Sequence, residues 1–134
     1  MSDEAESWLK GFIAKHGAVA GTIHAVAGEL LALRAAINIP PPVVELTRHI
    51  PSGKGMAGLA WERDAPVHTC NLKSDETGDV RPGAKAVDAS AAVALPVHRG
   101  GAVRGVVGIA WMGERDISEG ELAALGAEAE AAPV

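Results

Sequence analysis

The sequence predicts an α+β fold, a mainly antiparallel sheet covered by helices. Three observations carry that expectation. Two stretches of apolar alternation, residues 91–98 and 103–111, flank Gly100-Gly101, a pair that tolerates positive φ and closes a hairpin. A second pair of stretches, 19–26 and 30–39, meets across Ala27-Gly28-Glu29. Helical patterns stand at both ends of the chain. Hairpins pair strands in antiparallel fashion, and a half-buried sheet needs helices over its apolar face. At 134 residues, with no internal repeat, one domain spanning 1–134 is expected.

Each element has a local reason. Over residues 3–16, Trp8, Leu9, Phe12 and Ile13 fall on one helical stripe, Asp3 with Glu6 resembles a capping pair, and Gly17 stands where a helix ends. Residues 19–26 read as a strand. Residues 30–39 read as a half-buried strand, with Leu31, Leu33, Ala35, Ile37 and Ile39 on one face and Arg34 and Asn38 on the other. Pro40, Pro41 and Pro42 end that ladder and can open a short helix over 43–49. From Ile50 a glycine loop runs into a helix that includes Trp61. Residues 66–70 form a short strand. Residues 71–88 are polar, contain Gly78, Pro82 and Gly83, and read as a long loop. In the last hairpin Val93, Leu95 and Val97 alternate, as do Val103, Gly105, Val107, Ile109 and Trp111. The final helix has a full start: Ser118 as N-cap, Glu121 completing the box and Ile117 stapling to Leu122.

Composition narrows the function classes. The net charge is −5 and no basic stripe is present, so nucleic acid is not an expected partner. No apolar run approaches the ~20 residues of a membrane span, so no membrane association is expected. The acidic start, Met1-Ser2-Asp3-Glu4, is unlike a signal peptide. With one cysteine, Cys70, no internal disulfide can form, and a cytoplasmic location is expected.

Several motifs have competing readings. Gly53, Gly55 and Gly58 spell G-x-G-x-x-G, but Arg48, His49 and Pro51 precede them where a dinucleotide site needs a parallel strand. A tight turn into a helix is the better reading, and no cofactor is expected. Lys54 is followed by glycine rather than Ser or Thr, which excludes a phosphate-binding Walker loop. The helix N-terminus there still offers free N–H groups to an anion. His68 and Cys70 share a strand face and, with His24 or His98, could imitate a metal site, but the spacing follows no zinc pattern and no metal is expected. The loop carrying Asp75, Glu76, Asp79, Arg81, Lys85 and Asp88 reads equally as a cover over a ligand or as a solvated connection. Gly105, Gly108 and Ala110 leave room above the last strand for a ligand or for a closely packed helix.

The run Ile50-Pro51-Ser52-Gly53-Lys54-Gly55 with Ala57-Gly58-Leu59-Ala60 and Pro66-Val67, followed by Ala94-Leu95-Pro96-Val97 and the stretch from Gly100 to Ile109, resembles the GAF domain family of small-molecule sensory modules. The resemblance covers roughly residues 5–130. It implies a central antiparallel sheet of five or six strands, helices from both chain ends on one face and a ligand pocket on the other. One branch, the enzymes that reduce free methionine-R-sulfoxide, shares a loop resembling Asp79-Val80-Arg81-Pro82-Gly83 through Asp88-Ala89-Ser90. That chemistry needs an attacking thiolate and a resolving thiol. Where the branch pattern has cysteines this chain has Ala57 and Val87, and where it has acidic residues for the substrate amine this chain has Ala92, Gly108 and Ala110. Cys70 fits none of those positions. The cyclic-nucleotide and bilin signatures of other branches are incomplete.

The expectation is therefore a non-catalytic sensory or regulatory domain that binds a small organic ligand. The pocket residues implied by position in the family are Trp61, Cys70, Asp88, Ser90 and Trp111. The terminal helices, with Trp8, Leu9, Phe12, Leu122 and Leu125, are the expected homodimer seam, and a signalling protein is the expected downstream partner. The alternative is a diverged sulfoxide-reductase-like enzyme, or a thiol redox sensor, using Cys70.

Overall fold

The computed structural model describes residues 2–70 and 90–134. Helix α1 spans Asp3–Lys15 and buries Ala5, Leu9, Phe12 and Ile13, the i, i+4, i+7, i+8 stripe of an amphipathic helix. Its cap is Ser2, one residue before the expected one: the Ser2 hydroxyl accepts from the Ala5 N–H at 3.3 Å, and Asp3, Glu4 and Glu6 place negative charge at the positive end of the helix dipole. Gly17, at φ 66°, turns the chain toward β1, Ala20–Ala27. Gly28, at φ 64°, makes the hairpin to β2, Leu30–Ile37.

The register of β1 on β2 contains a bulge. His24 faces Leu33 but Ile23 faces Ala35, so Arg34 is an extra residue. Leu31 packs with Ile50 and Ala60 on one face of the sheet, while Ala35 and Ile37 pack against α1 on the other. The single apolar face expected for 30–39 is thus divided between the two faces.

Helix α2 spans Pro41–Leu46, two residues earlier than expected. Prolines lack the N–H that the first turn cannot use, so they suit its start. Thr47 ends it, its hydroxyl donating to the Val43 carbonyl at 2.9 Å. That frees His49–Pro51 to form β3, a three-residue edge strand paired antiparallel with β2. Helix α3, Gly55–Arg63, closes at Asp64 in the left-handed conformation. Strands β4, Val67–Thr69, β5, Ala91–Arg99, and β6, Ala102–Trp111, follow, and α4, Glu119–Ala129, ends the elements. Ser118 caps α4 as expected, accepting from the Glu121 N–H at 3.1 Å.

Among the described residues six strands form one antiparallel sheet in the order β3-β2-β1-β6-β5-β4. Register assigns each row of side chains to a face. Ile23, Val107 and Leu95 lie side by side across β1, β6 and β5, as do Gly21, Ile109 and Val93. These rows meet Leu9, Phe12 and Ile13 of α1 and Leu125 of α4 in the main core. Burying a side chain such as Leu95 or Leu125 stabilises the fold by roughly 1.5–3 kcal/mol. Helices α2 and α3 lie over the opposite face. The arrangement matches the α+β expectation, with the helices of both chain ends on one side. Among the described residues no helix is long and apolar enough to cross a membrane.

Candidate functional site

On the α2–α3 side the rows are made of small residues. Ala20, Ala110 and Ala92 lie across β1, β6 and β5, and the next row is Thr22, Gly108 and Ala94. Such short side chains cannot reach the helices above them. A Cβ added at Gly108 would meet only Thr22 Oγ1 at 3.3 Å and the Val93 carbonyl at 3.7 Å. The result is a hollow of about 400 Å³, within the range of small-molecule sites. Val43, Leu46 and Thr47 of the α2 segment form one wall, and Ile50, Lys54, Gly55, Met56 and Ala57 form the roof.

Besides Thr22 and Thr47, two polar features interrupt this apolar lining. The first is the start of α3. Its first-turn amides have no intrahelical acceptor, and among the described residues no side chain caps them. Gly55, Met56 and Ala57 line the hollow beside Lys54, so donors and a cation border one end. The second is His24 in the next row, 2% exposed and the one buried polar or charged residue among those described. Its Nε2 lies 2.8 Å from the Thr47 carbonyl. A carbonyl oxygen only accepts, so Nε2 carries the proton. Burial pushes the ring pKa below its usual value, with the Thr47 contact opposing.

Four of the five expected pocket residues, Trp61, Cys70, Ser90 and Trp111, do not line this hollow. Trp111 belongs to the α1–α4 core: it is 4% exposed, its indole N–H donates to the His16 carbonyl at 2.8 Å, and the Arg115 guanidinium lies 4.7 Å from its ring centroid. Ser90 is half-buried and donates its backbone N–H to the Trp111 carbonyl at 2.8 Å. Cys70 is an exposed free thiol whose carbonyl accepts from the Arg115 N–H at 3.3 Å. These three gather at one end of the sheet, and none of them lines the hollow. Trp61, on α3 itself, packs beside Leu31, Ile50 and Val67 and does not line it either. Asp88 and the loop 71–88 lie outside the described residues. His68 and Cys70 are exposed, and among the described residues no three His, Cys, Asp or Glu side chains are placed to hold a metal.

At the expected dimer seam, Leu9, Phe12 and Leu125 point into the protomer's own core, and Trp8 and Leu122 stay partly buried against it. Sequence reasoning missed His24 and Thr22 as site residues. Their signal was the alternation Ala20, Thr22, His24 on β1, facing the small positions Ala92, Gly108 and Ala110.

Comparison with known proteins places this architecture. No curated protein matches the sequence closely. Among solved structures, the GAF domain of an Acinetobacter phosphoenolpyruvate-protein phosphotransferase superposes with a TM-score of 0.73 at 19% identity, covering 96% of this chain and 78% of that one. The free methionine-R-sulfoxide reductase of Neisseria meningitidis, in complex with its substrate, superposes with a TM-score of 0.72 at 18% identity, covering 96% and 76%. A Staphylococcus aureus NreA protein, mutated in its nitrate binding site, gives 0.68 at 16% identity, covering 85% and 87%. Identities this low establish shared fold alone. The GAF domain family model matches residues 9–132, nearly the whole of the two-sided sheet just described. The chain belongs to the GAF domain family.

Proposed function

We propose that this chain is a non-catalytic regulatory GAF domain that binds a small organic ligand in the hollow between the sheet and α2–α3. The observation that carries the reading is the hollow itself. Two rows of Ala, Gly and Thr leave about 400 Å³ beneath two helices. A face built only for stability would fill that space, since empty volume forfeits packing energy. The α3 amides and Lys54 favour a ligand with an acceptor or anionic group at one end. A nitrate-binding site is named for one structural neighbour, which makes nitrate a sensible first probe.

The non-catalytic part of the reading rests on thiol chemistry. The chain has one cysteine, and Cys70 is exposed away from the hollow. A reductase that cycles through an internal disulfide needs two. Regulation would pass through the sheet. Strands β1, β5 and β6 carry hollow-facing and core-facing rows on alternate residues, so a ligand that shifts them shifts the seats of α1 and α4. A signalling partner or a second copy would read that shift.

The test is a thermal-shift screen of metabolites, with nitrate and L-methionine-R-sulfoxide included, followed by an assay of sulfoxide turnover. A ligand at a hundredfold excess over its Kd stabilises by about 2.7 kcal/mol. At least one stabilising compound without turnover is expected. Thiol-dependent turnover abolished by Cys70→Ser, or no stabilising compound in a broad library, would refute the reading.

A further inference from the structure

Given the hollow as the ligand site proposed above, the polar groups along it narrow the ligand's chemistry. Among the described residues, the uncharged polar side chains lining it are Thr22, His24 and Thr47. Two of them are engaged within the chain. The Thr47 hydroxyl donates to the Val43 carbonyl at 2.9 Å. The His24 Nε2 donates to the Thr47 carbonyl, and the Nδ1 is enclosed by the protein, beyond the reach of a ligand.

The Thr22 hydroxyl is different. It has no hydrogen-bond partner among the described residues, and it is not enclosed. Thr22 is half-buried on β1, paired across the sheet with Gly108 of β6. A Cβ built at Gly108 would stand 3.3 Å from the Thr22 Oγ1, so that oxygen lies on the hollow side, at the edge of the space that the missing side chain leaves open. Around this notch Ala20, Ala92, Ala94 and Ala110 present only methyl groups. One accessible hydroxyl in an apolar floor fixes the orientation of a ligand by a single contact, and it can both donate and accept. Lys54 is the one formally charged side chain lining the hollow among the described residues, so a ligand amine would meet no carboxylate there.

We propose that Thr22 is the specificity-determining residue of the hollow, its hydroxyl pairing with a carbonyl or hydroxyl group on a compact, largely apolar ligand that carries no cationic amine. Gly108 keeps the approach to that hydroxyl open. A ligand of the same shape without the polar group covers the Thr22 hydroxyl and leaves it unpaired, and that cost sets the preference.

Matched probes test this by NMR titration of the wild-type protein, Thr22→Val and Thr22→Ser. Acetophenone is compared with α-methylstyrene, in which a methylene replaces the carbonyl oxygen. Valine keeps the β-branched shape that suits a strand and removes only the hydroxyl. Because the hydrocarbon leaves water more readily, the informative quantity is the ratio of the two affinities within each protein, which also cancels any general loss of binding. That ratio is expected to move about tenfold against acetophenone in Thr22→Val, the size of one neutral hydrogen bond. In Thr22→Ser it returns toward the wild-type value. Binding of both probes with the same ratio in all three proteins overturns the role of Thr22 while leaving the hollow a ligand site. Absence of binding by both probes at millimolar concentration overturns both.

Discussion

His98, at the end of β5, has a carboxylate on each side of its ring. Asp64 Oδ1 lies 2.5 Å from Nε2, and Glu130 Oε2 lies 2.7 Å from Nδ1. Both contacts favour the imidazolium, so the Asp64 hydrogen bond, and then that of Glu130, raise its pKa above the usual value. His24, buried and facing a carbonyl, shifts the other way. The two therefore act on stability with opposite sign. For His98 the folded pKa lies above the unfolded value near 6.5, so its contribution is full below pH ~6.5 and is lost as pH rises through the folded pKa. For His24 the folded pKa lies below the unfolded one, so stability is intact above pH ~6.5 and is lost as pH falls toward the folded value. An NMR titration of the histidine rings is expected to place the His98 midpoint above 6.5 and that of His24 below it. His98→Gln removes the stabilisation present at pH 6, and its cost shrinks as pH rises through the folded pKa, as read by urea unfolding across a pH series. The pair is largely solvent-exposed, so the difference is about 1 kcal/mol or less.

At the scale of elements, caps and turns follow short-range chemistry, while edges and bulges follow partners far away in sequence. The start of α4 was legible because Ser118, Glu121 and Ile117 are within four residues of one another, and the structure shows the Ser118–Glu121 bond with Ile117 buried in the core. Ser118→Ala is expected to cost about 1 kcal/mol, read as a lower urea midpoint with an unchanged slope. An unaltered midpoint would mean that packing alone positions α4. Strand β3 was not legible. His49–Pro51 is three residues long, contains a proline, and exists because the exposed edge of β2 accepts it. The Arg34 bulge was hidden for a different reason. The sequence 31–37 alternates whether or not one residue is looped out, and only pairing with β1 decides it. The α1 cap was displaced by one residue because Ser2 and Asp3 are both good caps, and the Ser2 N–H is also fixed to the Arg34 carbonyl at 2.8 Å.

For the molecule as a whole, the sheet separates two jobs, and the separation explains which site residues could be read from the sequence. The small positions Ala92, Gly108 and Ala110 stood out as departures from a related pattern, and they are the floor of the hollow. Trp111 was misleading because scarcity of aromatics says nothing about which face a ring occupies. Period two does say it: Trp111 follows Val107 and Ile109 on the core side. The same alternation lets stability and binding be separated on one strand. Leu95 of β5 is fully buried under the terminal helices, and Ala92, three residues earlier, faces the hollow at 8% exposure. Leu95→Ala leaves a cavity and is expected to cost about 2–5 kcal/mol, with ligand affinity at saturating folded fraction unchanged. Ala92→Leu places a branched side chain into open volume, so stability changes by about 1 kcal/mol or less while ligand-induced thermal shift disappears. Urea unfolding and the thermal-shift assay, run on both variants, check the pair of outcomes. Loss of ligand response in Leu95→Ala at low temperature, where it is still folded, or an unaltered response in Ala92→Leu, would mean that the ligand binds somewhere other than over the alanine row of β1, β6 and β5.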